Sequence, residues 1–163
     1  MNNATKAKTH SHTQPFMGTK LQPKQGIVAG LFAGAGMMAA WLAAAQWWGP
    51  GARTLLCSIG GIVIPNASAI TMLVGVVIHL IVASALGLLF AASMDRLDAK
   101  DTIIVSVFYG FTIWIVSTII LRHWIHIDAV RSSRSWWGLL VFLFFGFLLG
   151  VYANKFGQMP PDK

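Results

Sequence analysis

Four long runs of apolar sequence without a single Asp, Glu, Lys or Arg constrain this chain more than any other feature: residues 26–48, 72–94, 102–121 and 136–153. A hydrocarbon core about 30 Å thick needs roughly 20 apolar residues of α-helix, at about 1.5 Å per residue. Each run approaches or exceeds that length. Inside a bilayer every backbone donor and acceptor must be satisfied within the spanning structure, as it is in a helix. The predicted fold is an all-α membrane protein, a bundle of four transmembrane helices occupying residues 26–154, with a polar tail at 1–25 and a short one at 155–163.

Charge is scarce and placed to match. Only 10% of the residues are charged, against about 25% in an ordinary soluble domain. Twelve Lys and Arg face five Asp, with no Glu, and the cations flank the apolar runs. That placement reads as orientation signal and lipid-phosphate contact, and nucleic acid is not expected as a partner. With both termini cytoplasmic, the inner segments carry Lys6, Lys8, Lys20, Lys24, Arg96, Lys100, Lys155 and Lys163, and the outer ones Arg53, Arg122, Arg131 and Arg134. The bias predicts both termini inside, although the three arginines of the 122–135 loop pull the other way. The localisation expected from this pattern is the inner membrane of a bacterium, multi-pass. The tail lacks the apolar core of a secretory signal, and the run beginning at Gly26 is long enough to act as a signal anchor.

Between the first two runs, residues 54–71 are apolar but broken by Gly60-Gly61 and Pro65-Asn66, which predicts a surface or re-entrant segment. The single cysteine, Cys57, excludes an intrachain disulfide. Asp95, Asp98 and Asp101 recur among Arg96 and Lys100 in a short connector. Too few oxygens are present for a Ca²⁺ or Mg²⁺ site, and the reading preferred is a solvated turn with Asp101 capping the third helix.

Small residues recur every fourth position within the spans. Gly26, Gly30 and Gly34 mark the first, Ala83 and Gly87 the second, Gly146 and Gly150 the fourth. Stripes of this kind let helix backbones approach closely in lipid. Laying His79-x-x-x-Ala83-x-x-x-Gly87 on Phe142-x-x-x-Gly146-x-x-x-Gly150 suggests a two-helix unit used twice in tandem, with Gly30 and Gly110 the shared mark of the first and third spans. On these glycine spacings, together with Met37-Met38, Phe90-Ala91 and Tyr152, residues 26–154 resemble a group of small bacterial four-helix membrane proteins of unknown function. Members of that group often carry a second histidine where Phe142 stands here, so the resemblance does not bring a paired-histidine site to this chain.

His79 is the one ionisable residue within a span. It falls about 10 Å along the helix from Met72, inside the hydrocarbon. Such a residue is costly and usually faces the bundle interior. It can serve as a ligand to haem or metal, a proton relay or a contact for a quinone head. It can equally be a neutral imidazole bonded to a neighbouring helix, with Thr112, Ser117 or Thr118 of the third span as expected partners. A bis-histidine haem needs a second histidine at similar depth, and none lies in a span, so no cofactor is predicted and haem or quinone at His79 would require a partner protein. His123, His126 and Asp128 form a second set of metal-compatible types at a helix end, although His, Trp and Arg at that level are ordinary interfacial anchors. His10 and His12 in the tail are too few for a site.

No phosphate loop, zinc-protease motif or dinucleotide fingerprint occurs, Ser132–Ser135 shows no base, and the spans lack the buried carboxylates of a proton-driven pump. The expected function is therefore a non-catalytic membrane subunit or scaffold of a larger inner-membrane assembly, an electron-transfer complex being the natural host. Its expected partners are the lipid bilayer and other membrane subunits or further copies of itself. The alternative expectation is a small oligomeric transporter or channel with its path near His79, and the third a haem- or quinone-binding redox protein.

Overall fold

The structure, a computed structural model, describes residues 21–48, 51–65, 68–94, 99–121 and 136–157. Among these residues five α-helices follow one another: α1 Pro23–Trp48, α2 Ala52–Gly60, α3 Ala69–Ser93, α4 Ala99–Val116 and α5 Trp136–Phe156. A π-helical turn, Ser117–Leu121, extends α4. α1, α3, α5 and α4 with its extension are long and apolar enough to cross a bilayer, and the described residues contain no strand. The chain is thus a multi-pass, all-α membrane protein.

Three of the four spans begin about a turn before their apolar runs. α1 opens with Pro23, Lys24 and Gln25, and Pro suits the first helical position because its missing N–H has no helical partner to lose. α3 opens behind a capping box: the Thr71 backbone N–H donates to Ser68 Oγ at 3.2 Å and the Ser68 N–H to Thr71 Oγ1 at 3.4 Å. α4 starts at Ala99, so Asp101 lies inside the first turn and not ahead of it. There its carboxylate favours the positive end of the helix dipole without being a cap. The first turns of α1 and α4 are polar enough to stand in the headgroup layer while remaining helical, which is why hydropathy alone places those two starts too late; α3 instead starts where its capping box sets it.

The spans pack as two antiparallel pairs. In α1 and α3, Gly26 lies against Gly87 and Ala91, and Gly30 against Ala83 and Ser84. In α4 and α5, Gly110 lies against Phe142 and Gly146, and Ser106 against Gly146 and Gly150. The two pairs are equivalent in these contacts. Gly30 corresponds to Gly110, Gly26 to Ser106, Gly87 to Gly146 and Ala91 to Gly150. This correspondence differs from the sequence overlay by one helical turn: Ala83 matches Phe142, and His79 matches Gly138. The overlay paired like residues, whereas the contacts pair the positions where two backbones meet.

The seams between the pairs are unequal. α1 runs antiparallel to α5 along its length, from the Gln25 Nε2 donating to the Phe156 carbonyl (3.2 Å) through Phe32 on Tyr152 to Trp41 on Phe142. On the other side the backbones of α3 and α4 barely approach. They are joined by Tyr109, whose hydroxyl donates to the Leu86 carbonyl at 2.8 Å and whose ring packs on Phe90 at 5.2 Å between centroids. Phe90, Phe145 and Leu149 fill the middle of the bundle.

α2 lies at the end of the bundle opposite Gln25 and Phe156. It packs on the first turns of α3, with Gly60 against Thr71 and Leu56 against Gly75, while Leu55 packs with Ala45 and Trp41. Arg53 and Thr54 occupy its exposed face.

Candidate functional site

His79 stands ten residues, about 15 Å, into α3. Its Nε2 lies 3.1 Å from the Gly34 carbonyl oxygen of α1. A carbonyl can only accept, so Nε2 carries the proton, and in a neutral ring Nδ1 is left with its lone pair. The partner is a backbone atom of α1 and not a hydroxyl of the third span. Gly34 makes this geometry available: without a side chain, it brings the α1 backbone within reach of a ring on α3, and an added Cβ would sit 4.0 Å from Nε2 and press on the Ala83 methyl. Two of the three expected partners bond within their own helix, Thr112 Oγ1 to the Phe108 carbonyl (2.9 Å) and Thr118 Oγ1 to Trp114 (2.8 Å) and Ile115 (3.2 Å).

Ser117, the third, shares a cavity with His79. The space measures about 110 Å³ and is enclosed by α1, α3, α4 and α5, with Trp41, Ile113, Phe142 and Phe145 among its walls. His79 is its one ionisable lining residue. Ser117 begins the π-helical turn. Insertions of this kind widen a helix locally and recur at functional sites. Here the Thr118 hydroxyl donates to the last carbonyls of the α-helical stretch, a local bond that competes with regular helix hydrogen bonding.

The dimensions discriminate between ligands. Pockets for drug-sized molecules measure about 300–1,000 Å³. A cavity of about 110 Å³ is too small to enclose a haem. The residues present do not fit that group within this chain.

The glycines and alanines singled out for packing lie where helices cross. Gly26, Gly30 and Gly34 of α1 meet Ala83 and Gly87 of α3, and Gly146 and Gly150 of α5 meet Ser106 of α4. His123, His126 and Asp128 lie outside the described residues, as do His10 and His12. Among the described residues no group of three or more His, Cys, Asp or Glu side chains is placed to hold a metal. Sequence reasoning missed the bridging role of Tyr109 and the cavity position of Trp41, both of which look like ordinary aromatic residues of a span.

Replacing His79 by Phe keeps the ring's bulk and removes the bond to Gly34. Interhelical hydrogen bonds in membranes contribute about 0.6–2 kcal/mol. The expected loss of stability is therefore about 1 kcal/mol, with the helices intact. Reversible unfolding in detergent micelles measures it, and a loss of several kcal/mol would show that the histidine does more than tie α3 to α1.

Comparison of the chain with protein-family models, with curated proteins and with solved structures finds no match.

Proposed function

We propose that this protein is a non-catalytic subunit or scaffold of a larger membrane assembly, in the inner membrane of a bacterium, with both termini in the cytoplasm and an electron-transfer complex as the natural host. One observation carries the reading. α1 has a second row of small residues, Ala35 and Ala39 exposed and Ala43 half-buried, on a face that its packing on α3 does not use. The row runs into a shallow groove of about 250 Å³ between α1 and α5, walled by Ala40, Ala44, Trp137, Leu140 and Phe144. Lipid chains gain nothing special from alanine, whereas a helix does, because small residues let backbones close on one another. A spanning helix of another subunit, or of a second copy, is the occupant this face suits.

The test is Ala39→Leu, compared with wild type after solubilisation from native membranes in mild detergent. The wild-type protein is expected in a complex larger than the monomer and the variant as a well-folded monomer. A wild-type protein that is itself a stable, partnerless monomer would overturn the reading.

The transporter reading draws support from the cavity beside His79. The walls supplied by Phe142 and Phe145 oppose a continuous aqueous path. Flux into proteoliposomes that falls with His79→Ala would favour it, and flux no greater than through lipid alone would remove it.

A further inference from the structure

The splayed seam between α3 and α4 and the cavity behind it belong together. Among the described residues, three of the four seams around the bundle are closed by backbone packing, and the space beside His79 lies behind the fourth, between α3 and α4. Val82, which lines the cavity, is 52% exposed, and Ser117 is half-buried. The exposed flank of Val82 thus gives the cavity an open side on the lipid-facing surface of the bundle. The equivalent seam on the other side of the bundle, α1 against α5, is closed by backbone packing and carries only the shallow outer groove beside Ala40 and Ala44. The asymmetry is concentrated where the two polar side chains lie.

We propose that this cleft binds the hydroxyl-bearing ring of a membrane-dissolved molecule, a phenol or quinol head, which enters sideways between α3 and α4 and donates its O–H within the cavity. Size, walls and hydrogen-bonding polarity support this class. An apolar cavity of about 150 Å³ holds one benzene. This one, at about 110 Å³, is smaller but laterally open, so it would take the hydroxyl-bearing edge of a ring, with the rest of the molecule left in the cleft and the lipid. Trp41, Phe142 and Phe145 offer faces and edges for ring packing. His79 has spent its Nε2 proton on Gly34, so a neutral ring has only the Nδ1 acceptor to offer, and the Ser117 hydroxyl, which can donate or accept, is the second polar group of the lining. An acceptor selects a ligand that donates. A methyl ether or a hydrocarbon of the same shape leaves the imidazole nitrogen unanswered.

The experiment uses the full-length protein in lipid nanodiscs, titrated calorimetrically with para-octylphenol and with its methyl ether. Saturable binding of the phenol is expected, weaker by about tenfold for the ether, the magnitude of one lost hydrogen bond. His79→Phe is expected to bring the phenol down to the ether's affinity, and Val82→Phe, which fills the mouth, to abolish saturable binding of both. Linear partitioning of both compounds into wild type, as into empty nanodiscs, overturns the proposal, as does equal affinity for phenol and ether. The wild-type comparison decides the matter even where a variant fails to fold.

Discussion

Gly87→Val is expected to break the α1–α3 pair and cost at least about 3 kcal/mol, the upper end of what overpacking does. An added Cβ at Gly87 would sit 2.5 Å from the Gly30 Cα and 2.6 Å from its nitrogen, besides pressing on the Gly26 carbonyl. All three are backbone atoms of a helix, and none can turn aside as a side chain would. The pair must separate, and with it go the Gly34–His79 bond and the seat of Ala83. The contacts of α4 and α5 repeat those of α1 and α3, so Gly146→Val, facing the Ser106 carbonyl and the Val107 Cα, should cost about as much. Gly36→Ala is the control. There the nearest obstacle is Leu148 Cδ1, the free end of a flexible side chain, and a loss below about 1 kcal/mol is expected. Unfolding midpoints of the three variants in detergent, with helicity followed by circular dichroism, provide the measurement. Similar small losses at all three positions would mean that the glycine crossings do not hold the bundle together.

That ordering could not have been read from the apolar runs alone. The existence of four spans was legible because a continuous apolar stretch of that length has few other uses. Which face of each span points inward was not, because a helix that is apolar all round has no amphipathic signal to read. Only the small residues distinguished the faces, and they did so incompletely. They located the crossing of α1 with α3 through Gly26, Gly30, Ala83 and Gly87. They misaligned the two pairs by a turn, because Phe142 stands where Ala83 stands in the other pair and its backbone, not its side chain, makes the contact. Ser106 hides in the same way: its hydroxyl turns back to its own helix at Ile103 (2.8 Å), which lets a serine occupy the place of Gly26.

The candidate site was half legible. His79 was identifiable as the one ionisable residue in a span. Its partner was not, since a backbone carbonyl is present at every position and only the approach permitted by Gly34 brings one to the imidazole. Ser117 was anticipated as a partner for His79 and lies in the same cavity, but the π-helical turn that it begins leaves no mark in a uniformly apolar sequence. These limits share a cause. In lipid the hydrophobic effect no longer sorts inside from outside, so packing geometry carries the information that hydropathy carries in water.

The docking of α2 provides the second large expected effect, and the single cysteine makes it measurable. Gly75→Val should unseat α2 from α3 while leaving the four spans folded. An added Cβ at Gly75 would press on the Leu56 carbonyl and sit 3.1 Å from the Gly60 nitrogen, so the clash falls on α2 rather than on α1 or α5. α2 has nine residues and little else to hold it: Leu55 on Ala45 and Trp41, and the crossing of Gly60 over Thr71. An isolated helix that short is not stable in water, so losing its seat should loosen the segment as a whole. Cys57 sits in it half-buried. An overpacking cost of about 2 kcal/mol spent on local opening raises the exposed fraction by more than about tenfold. Maleimide labelling of Cys57 in proteoliposomes should accelerate by at least that factor, with the unfolding midpoint of the spans moving much less. If labelling does not change, α2 is held by something other than its crossing with α3. If labelling and the midpoint change together, α2 is part of the bundle's cooperative core and not an appendage to it.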